Sequence, residues 1–257
     1  MDLQLTGNVV IVTGAASGIG QATARLLTEE GAVVVGVDRD PIESGLGTGG
    51  TAVQADVTDS ATPDRVIATV LEQHGRIDAL VNNAGGLHVR TSFLDTTDEQ
   101  WLATFDLDFH AARRMSRAAV PALLANGGGS LVHVSSESGR MPEIGNLDYA
   151  AAKLPLLALS ASLATEFSPR SIRSNVVNAG PTRTPLYDRP GGFSEQVAEI
   201  WGIDKESAIT RMTERVLTRR LGEADDVARV IAYLVSPLSS QVTAAEWSVD
   251  GGAHHQV

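Results

Sequence analysis

The sequence predicts a doubly wound parallel α/β sheet of seven strands, with helices on both faces. Short, continuous β-branched runs alternate with stretches of helical period, and strands of that kind are covered on both sides. A glycine-rich turn joins the first run to the first helix. No composition break, internal repeat or charge block divides the 257 residues, so one domain over 1–257 is expected, with a lid or insertion at about 185–220.

Val9-Val10-Ile11-Val12 reads as the first strand, and Ala32-Val33-Val34-Val35-Gly36-Val37 as the second. The stretch 21–30 between them is helical, and Gly31 suits its C-terminal end. Further strands are expected at 51–55, 79–81, 130–134, 173–177 and 245–249, with helices at 99–124, 149–167 and 225–234. The segment 185–220 is the only long piece without a strand signal.

Composition narrows the function. Hydrophobic residues make up 43% and charged residues 20%, as in ordinary globular chains. The absence of cysteine excludes a disulfide scaffold, a thiolate nucleophile and a Cys-ligated metal. A net charge of -11 disfavours nucleic acid and anionic membranes as partners. The first residues lack a signal pattern, and no uninterrupted apolar run is expected to span a bilayer, so a cytoplasmic protein with no membrane partner is expected. No metal site is expected, since His254-His255 lacks further ligands and reads as a mobile tail. No Gly-x-Ser-x-Gly elbow supports a hydrolase.

Thr13-Gly14-Ala15-Ala16-Ser17-Gly18-Ile19-Gly20 sits where strand gives way to helix. Gly14 permits a tight turn, Gly18 close approach of a pyrophosphate and Gly20 close helix packing, while the helix start offers free N–H groups and the positive dipole end. Ser17 and Ile19 belong to the same cradle. Asp38, at the end of the second strand, is placed to accept from the adenosine ribose hydroxyls, and its charge would repel a 2′-phosphate. NAD is therefore expected over NADP, with Arg39 beside it as the counter-signal.

These residues resemble the short-chain dehydrogenase/reductase family in its compact, Rossmann-like form. The resemblance runs over nearly the whole chain: the glycine turn, Asp56-Val57, Asn82-Asn83-Ala84-Gly85, Ser136, Tyr149-Ala150-Ala151-Ala152-Lys153, the stretch 180–184 and Asp250-Gly251-Gly252. It implies that Asp56 and Val57 touch adenine and that Asn83, Ala84 and Gly85 support the central strand beside the cofactor. It also implies that Gly180 and Thr182 lie along the cofactor and that Thr184 holds the nicotinamide carboxamide. A homotetramer is implied as well, with a dimer as the fallback; the small residues Ala150 to Ala152, Ala158 and Ala161 would permit close helix approach.

Tyr149 and Lys153 stand at i and i+4, on one helix face. A free phenol titrates near 10, and a neighbouring ammonium is expected to lower that value and make Tyr149 a proton exchanger. The resemblance gives Lys153 a second role on the nicotinamide ribose. Ser136, thirteen residues earlier and just past an apolar strand, can donate to a substrate oxygen as charge develops; Gly139 sets the register in its favour over Ser135. The expected reaction is NAD(P)-dependent hydride exchange with a secondary alcohol or ketone.

Three departures stand out. Where the family commonly carries a relay Asn, counting along 101–110 gives Asp108, which accepts from water but cannot donate as an amide does. Its charge near Lys153 would partly offset the field that acidifies Tyr149. Asn178-Ala179-Gly180 lacks the family's frequent proline, and Pro155 falls inside a predicted helix, implying a late helix start or a kink. The substrate wall is expected from Gly86-Leu87-His88, the stretch 137–148 and the lid, with His88, Glu137, Glu143, Leu147, Tyr187, Arg189, Phe193 and Trp201 as candidates. Arg183, Arg189 and Phe193 together hint at a polar or acidic substrate with an apolar part. A non-catalytic NAD-binding regulator or scaffold, and a lyase or dehalogenase with a closed cofactor site, are the rival readings; the intact Ser136, Tyr149 and Lys153 oppose the first, and the open glycine turn with Asp38 opposes the second.

Overall fold

The structure, a computed structural model, describes residues 2–143 and 145–254. Seven parallel strands lie in the order β3-β2-β1-β4-β5-β6-β9. They are β1 (Val9–Thr13), β2 (Val33–Asp38), β3 (Thr51–Gln54), β4 (Ala79–Asn82), β5 (Gly129–Ser136), β6 (Ile172–Ala179) and β9 (Glu246–Val249). A separate two-residue ladder pairs β7 (Thr182–Arg183) with β8 (Gly222–Glu223). The ten α-helices given by the described residues are α1 (Gly18–Glu29), α2 (Thr62–His74), α3 (Asp98–Phe105), α4 (Ala111–Ala125), α5 (Leu147–Lys153), α6 (Pro155–Phe167), α7 (Pro185–Asp188), α8 (Phe193–Trp201), α9 (Lys205–Arg215) and α10 (Ala224–Val235).

Period-two geometry explains why the strands read as unbroken apolar runs. Val10 and Val12 bury into one core with Leu27 and Ile231, while their neighbours Val9 and Ile11 bury into the other with Val66, Met115 and Leu123. Strand order reverses at β1, which pairs β2 on one side and β4 on the other. Beyond the carboxyl ends of these strands lies the crevice in which such sheets hold ligands.

Three local expectations need correction. The single helix expected at 99–124 is two helices joined by a π-helical turn, Asp106–His110. Pro155 opens α6 at its first position, and Leu154 keeps helical dihedrals (φ -60, ψ -44), so the chain runs on from α5 with one backbone donor missing and no break. The run Leu147–Arg170, 24 residues with a mean hydropathy of 1.2 over an 18-residue window, is by length and composition alone long and apolar enough to cross a bilayer, contrary to expectation. It packs against β6 and carries the buried Asp148 and Lys153, as a core helix does. Strand β6 ends with Gly180 donating to the Val249 carbonyl at 3.1 Å, so the missing proline leaves the strand end in place. Of the His254-His255 pair, His255 lies outside the described residues; the His254 amide donates to Asp250.

Candidate active site

The glycine turn is held by side chains from three elements. Ser17 occupies the helix cap position with extended backbone, yet its hydroxyl makes no capping bond, which leaves the first-turn amides of α1 available to an anion. Gly20 tolerates no side chain: a Cβ there would lie 2.0 Å from the Gly14 carbonyl oxygen. Asn83 fastens the turn by donating to the carbonyls of Thr13 (2.9 Å) and Gly14 (3.3 Å), and the Thr13 hydroxyl accepts from the amides of Asn83 and Ala84 at 3.0 Å. Asp38 accepts from the Ala16 amide at 2.9 Å, which joins the acidic strand end to the same turn. Arg39 is exposed, and its positive charge is felt at Asp56. The Asp56 carboxyl stands below the usual carboxylate range because the Thr58 hydroxyl and amide donate to it, at 2.7 and 2.8 Å. Val57 is buried beside it.

Strand β5 delivers two serines that point to different places. The Ser135 hydroxyl donates to the Lys153 carbonyl at 3.0 Å and is buried in the frame. The Ser136 hydroxyl lines the same cavity as Tyr149 and accepts from the Ser138 amide at 3.2 Å. Helix α5 begins eleven residues after Ser136 and turns Tyr149 and Lys153 to one side, with the Lys153 ammonium 5.5 Å from the centre of the Tyr149 ring. That ammonium also donates to the Val134 carbonyl at 3.2 Å and sits 3.2 Å from Asp108 Oδ1. Asp108 is carried by the π-helical turn, and its Oδ1 accepts from the Gly86 amide.

The electrostatics correct one expectation. Burial pushes the Tyr149 phenol upward more strongly than Lys153 draws it down, and Asp108 adds to the upward push, so the phenol stands above its ordinary value. Burial alone would discharge Lys153, but Asp108 and the Tyr149 hydroxyl outweigh it and hold the ammonium charged.

Ser136 and Tyr149 open on a cavity between the sheet's carboxyl edge and helices α7 to α9. Ile19, Gly180, Thr182 and Thr184 line it, together with Glu137, Glu143, Tyr187, Phe193 and Trp201. Gly18 packs beside Thr184, whose side chain would lie 3.4 Å from a Cβ built on the glycine. Four candidates fall outside. His88 is exposed, because the extended chain turns Leu87 and Val89 inward and the residue between them outward. Leu147 opens α5 on a face other than that of Asn146 and Tyr149, which do line the cavity. Arg183, ion-paired with Asp188 at 2.9 Å, and Arg189 are exposed and line no part of it, which removes the hint of an acidic substrate.

Sequence reasoning missed Arg215 and the Arg90–Asp148 pair. Arg215 lines the cavity from α9 in an ion pair with Glu143. Arg90 donates to Asp148 Oδ2 through Nε (2.9 Å) and Nη2 (2.7 Å), Thr104 donates to the same oxygen at 2.8 Å, and Asp148 Oδ1 accepts from the Tyr149 amide. The acidic residue directly before Tyr149 was the one available signal.

Residues 14–254 match the family model described as enoyl-(acyl carrier protein) reductase. The chain is 34% identical over 258 residues to the oxidoreductase UcpA of Salmonella typhimurium, covering 97% of this chain and 95% of that one. The chain belongs to the short-chain dehydrogenase/reductase family. It is 35% identical to human dehydrogenase/reductase SDR family member 4, over 96% of this chain and 88% of the relative. Its structure superposes on the ligand-free aldohexose dehydrogenase of Thermoplasma acidophilum with a TM-score of 0.90 at 25% identity, covering 100% of this chain and 98% of that one. Membership makes this short-chain dehydrogenase/reductase an oxidoreductase of a family that binds nicotinamide cofactors and acts on small molecules.

Proposed function

We propose that the protein exchanges hydride between NAD(H) and a secondary alcohol or ketone, with Tyr149 as proton carrier, Ser136 as donor to the substrate oxygen and Lys153 as the charge that tunes both. The observation that carries this reading is the convergence of Ser136 and Tyr149 on one cavity that reaches the glycine turn at Ile19, with the buried Lys153 ammonium 5.5 Å from the centre of the Tyr149 ring. The residues present fit the dinucleotide: the uncapped first turn of α1 suits the pyrophosphate and the Asp38 carboxylate the ribose hydroxyls. Asp56 and Val57 would meet adenine; Asn83, Ala84 and Gly85 would flank the nicotinamide half, Lys153 its ribose and Thr184 its carboxamide. When bound, the nicotinamide supplies the acceptor or donor of hydride.

In the oxidative direction Tyr149 takes the hydroxyl proton of the substrate while the Ser136 hydroxyl donates to the same oxygen. Lys153 stabilises the phenolate against the burial that opposes it. In the reductive direction the phenol returns the proton.

Asp38 supports NAD over NADP, since its carboxylate would stand against a 2′-phosphate, and the neighbouring Arg39 charge is also felt at Asp56. Self-association through the α6 face fits the exposed Leu154, Ala158 and Ala161, one stripe at helical spacing. We place the protein in the cytoplasm and read helices α7 to α9 as the lid.

Tyr149→Phe tests the reading: NADH fluorescence titration should give near-unchanged binding, while turnover of a secondary-alcohol panel falls at least 100-fold. Loss of binding, or retained turnover, would contradict it. Thermal shifts with NAD and NADP test the cofactor, with the larger stabilisation expected from NAD.

A further inference from the structure

Glu137 follows Ser136 and lines the cavity, yet it is nine-tenths buried, and its Oε2 has no hydrogen-bond partner among the described residues. A buried carboxyl without a donor is a costly arrangement, and it is the cavity's one acidic group left in this state. Glu143, which lines the same cavity, is already paired with Arg215. The strain shows in the titration of Glu137: burial, with the neighbouring charges of Asp250 and Glu143, pushes it up to about 7 against the pull of Arg215. Glu137 adjoins Ser136 and lines the same cavity as Tyr149 and Tyr187, whose phenols its charge pushes up.

We infer that Glu137 accepts a hydrogen bond from a second, uncharged hydroxyl beside the carbinol, so that the substrates are diols or longer polyols and the matching hydroxyketones. This rests on the dehydrogenase reading given above and names its substrate class. An anionic substrate would add a negative charge beside Glu137, Glu143 and Asp250, and a cationic one would stand against Arg215. Leu186, Val197, Ile200 and Met212 form an apolar wall for the carbon chain. The balance is that of a two-electron oxidation: one C–H hydride passes to NAD, the proton of the reacting hydroxyl passes to Tyr149, and its C–O bond becomes C=O. The second hydroxyl, held by Glu137, is unchanged.

The test compares butane-2,3-diol, butan-2-ol and 3-hydroxybutyrate by NADH formation with the wild type, Glu137→Leu and Glu137→Gln. The wild type should prefer the diol over butan-2-ol in kcat/KM by about tenfold or more, the effect of a hydrogen bond to a charged group. Glu137→Leu should lose that ratio. The isosteric Glu137→Gln, which guards against a folding failure, should keep part of it through its amide oxygen. An equal ratio in wild type and variants, or 3-hydroxybutyrate as the best substrate, would overturn the inference. Butan-2-ol turnover by the wild type reports on the dehydrogenase reading separately. If neither alcohol reduces NAD, that reading falls, and calorimetry with NAD present decides Glu137: tighter diol binding by the wild type than by the variants upholds the role, and equal binding refutes it.

Discussion

Lys153 Nζ lies 3.2 Å from Asp108 Oδ1, with both residues buried, at 4% and 2% exposure. A salt bridge so placed does not add net stability by itself, because desolvation cancels much of the attraction. Its effect is on charge. The ammonium that should acidify Tyr149 is partly neutralised at its source, and the Asp108 carboxylate also opposes the phenolate directly.

Asp108→Asn should therefore move the acidic limb of the pH–kcat/KM profile for alcohol oxidation to lower pH, since the phenolate loses an opposing anion. The same change leaves the Lys153 charge short of a buried partner and should cost about 3 kcal/mol of stability in urea unfolding. Coincident pH profiles for wild type and variant would refute the electrostatic account, whatever the stability result.

Gly85 is the space that makes the pair possible. A Cβ at this position would lie 2.6 Å from Asp108 Oδ1 and 2.9 Å from Lys153 Nζ. Gly85→Ala should part the two groups and lower kcat at least tenfold, with NADH affinity falling less; a variant with wild-type kcat would show that the pair can shift freely.

Arg90 secures the start of α5. Burial alone would raise the Asp148 carboxyl, but donors from Arg90 and Thr104 outweigh it and hold it below the usual carboxylate range. A depressed folded-state value means that this contribution is present above the unfolded carboxylate range, near 4, and is lost as pH falls through the folded one. Arg90→Met should destabilise the protein by about 3–5 kcal/mol at neutral pH, as an uncompensated buried charge does, and Arg90→Lys should recover only part because it cannot form the two-pronged contact. Chemical denaturation at pH 7 checks both.

His133 sets a second pH dependence. It is fully buried between Asn82 and Ser174, and burial lowers its pKa to about 4 from 6.5. The unfolded chain binds the proton more readily, so stability should fall as pH drops from about 6.5 toward 4, by about 3 kcal/mol. His133→Gln should flatten that slope in thermal unfolding across pH; an unchanged slope would assign the loss to other groups.

The strands were legible because burial on both faces writes an unbroken apolar run, and Tyr149 with Lys153 because helical geometry ties i to i+4. The π-helical turn under Asp108 was not, since no glycine or proline marks the extra backbone residue. Arg90 meets Asp148 across 58 positions, a contact that exists only once the pairing of β4 with β5 has brought the loop after β4 beside the start of α5. Arg183 and Arg189 misled in the other direction: their charge near a candidate wall says nothing of which side of the backbone they occupy.

The β7–β8 ladder pinches Thr182 and Arg183 against Gly222 and Glu223, so everything from 184 to 221 leaves and re-enters the body at a single waist. Three helices hang from that waist, and none supplies a strand to the seven-stranded sheet. An excursion tied in at one place can shift as a unit without breaking a hydrogen bond of the ladder that runs from β3 to β9.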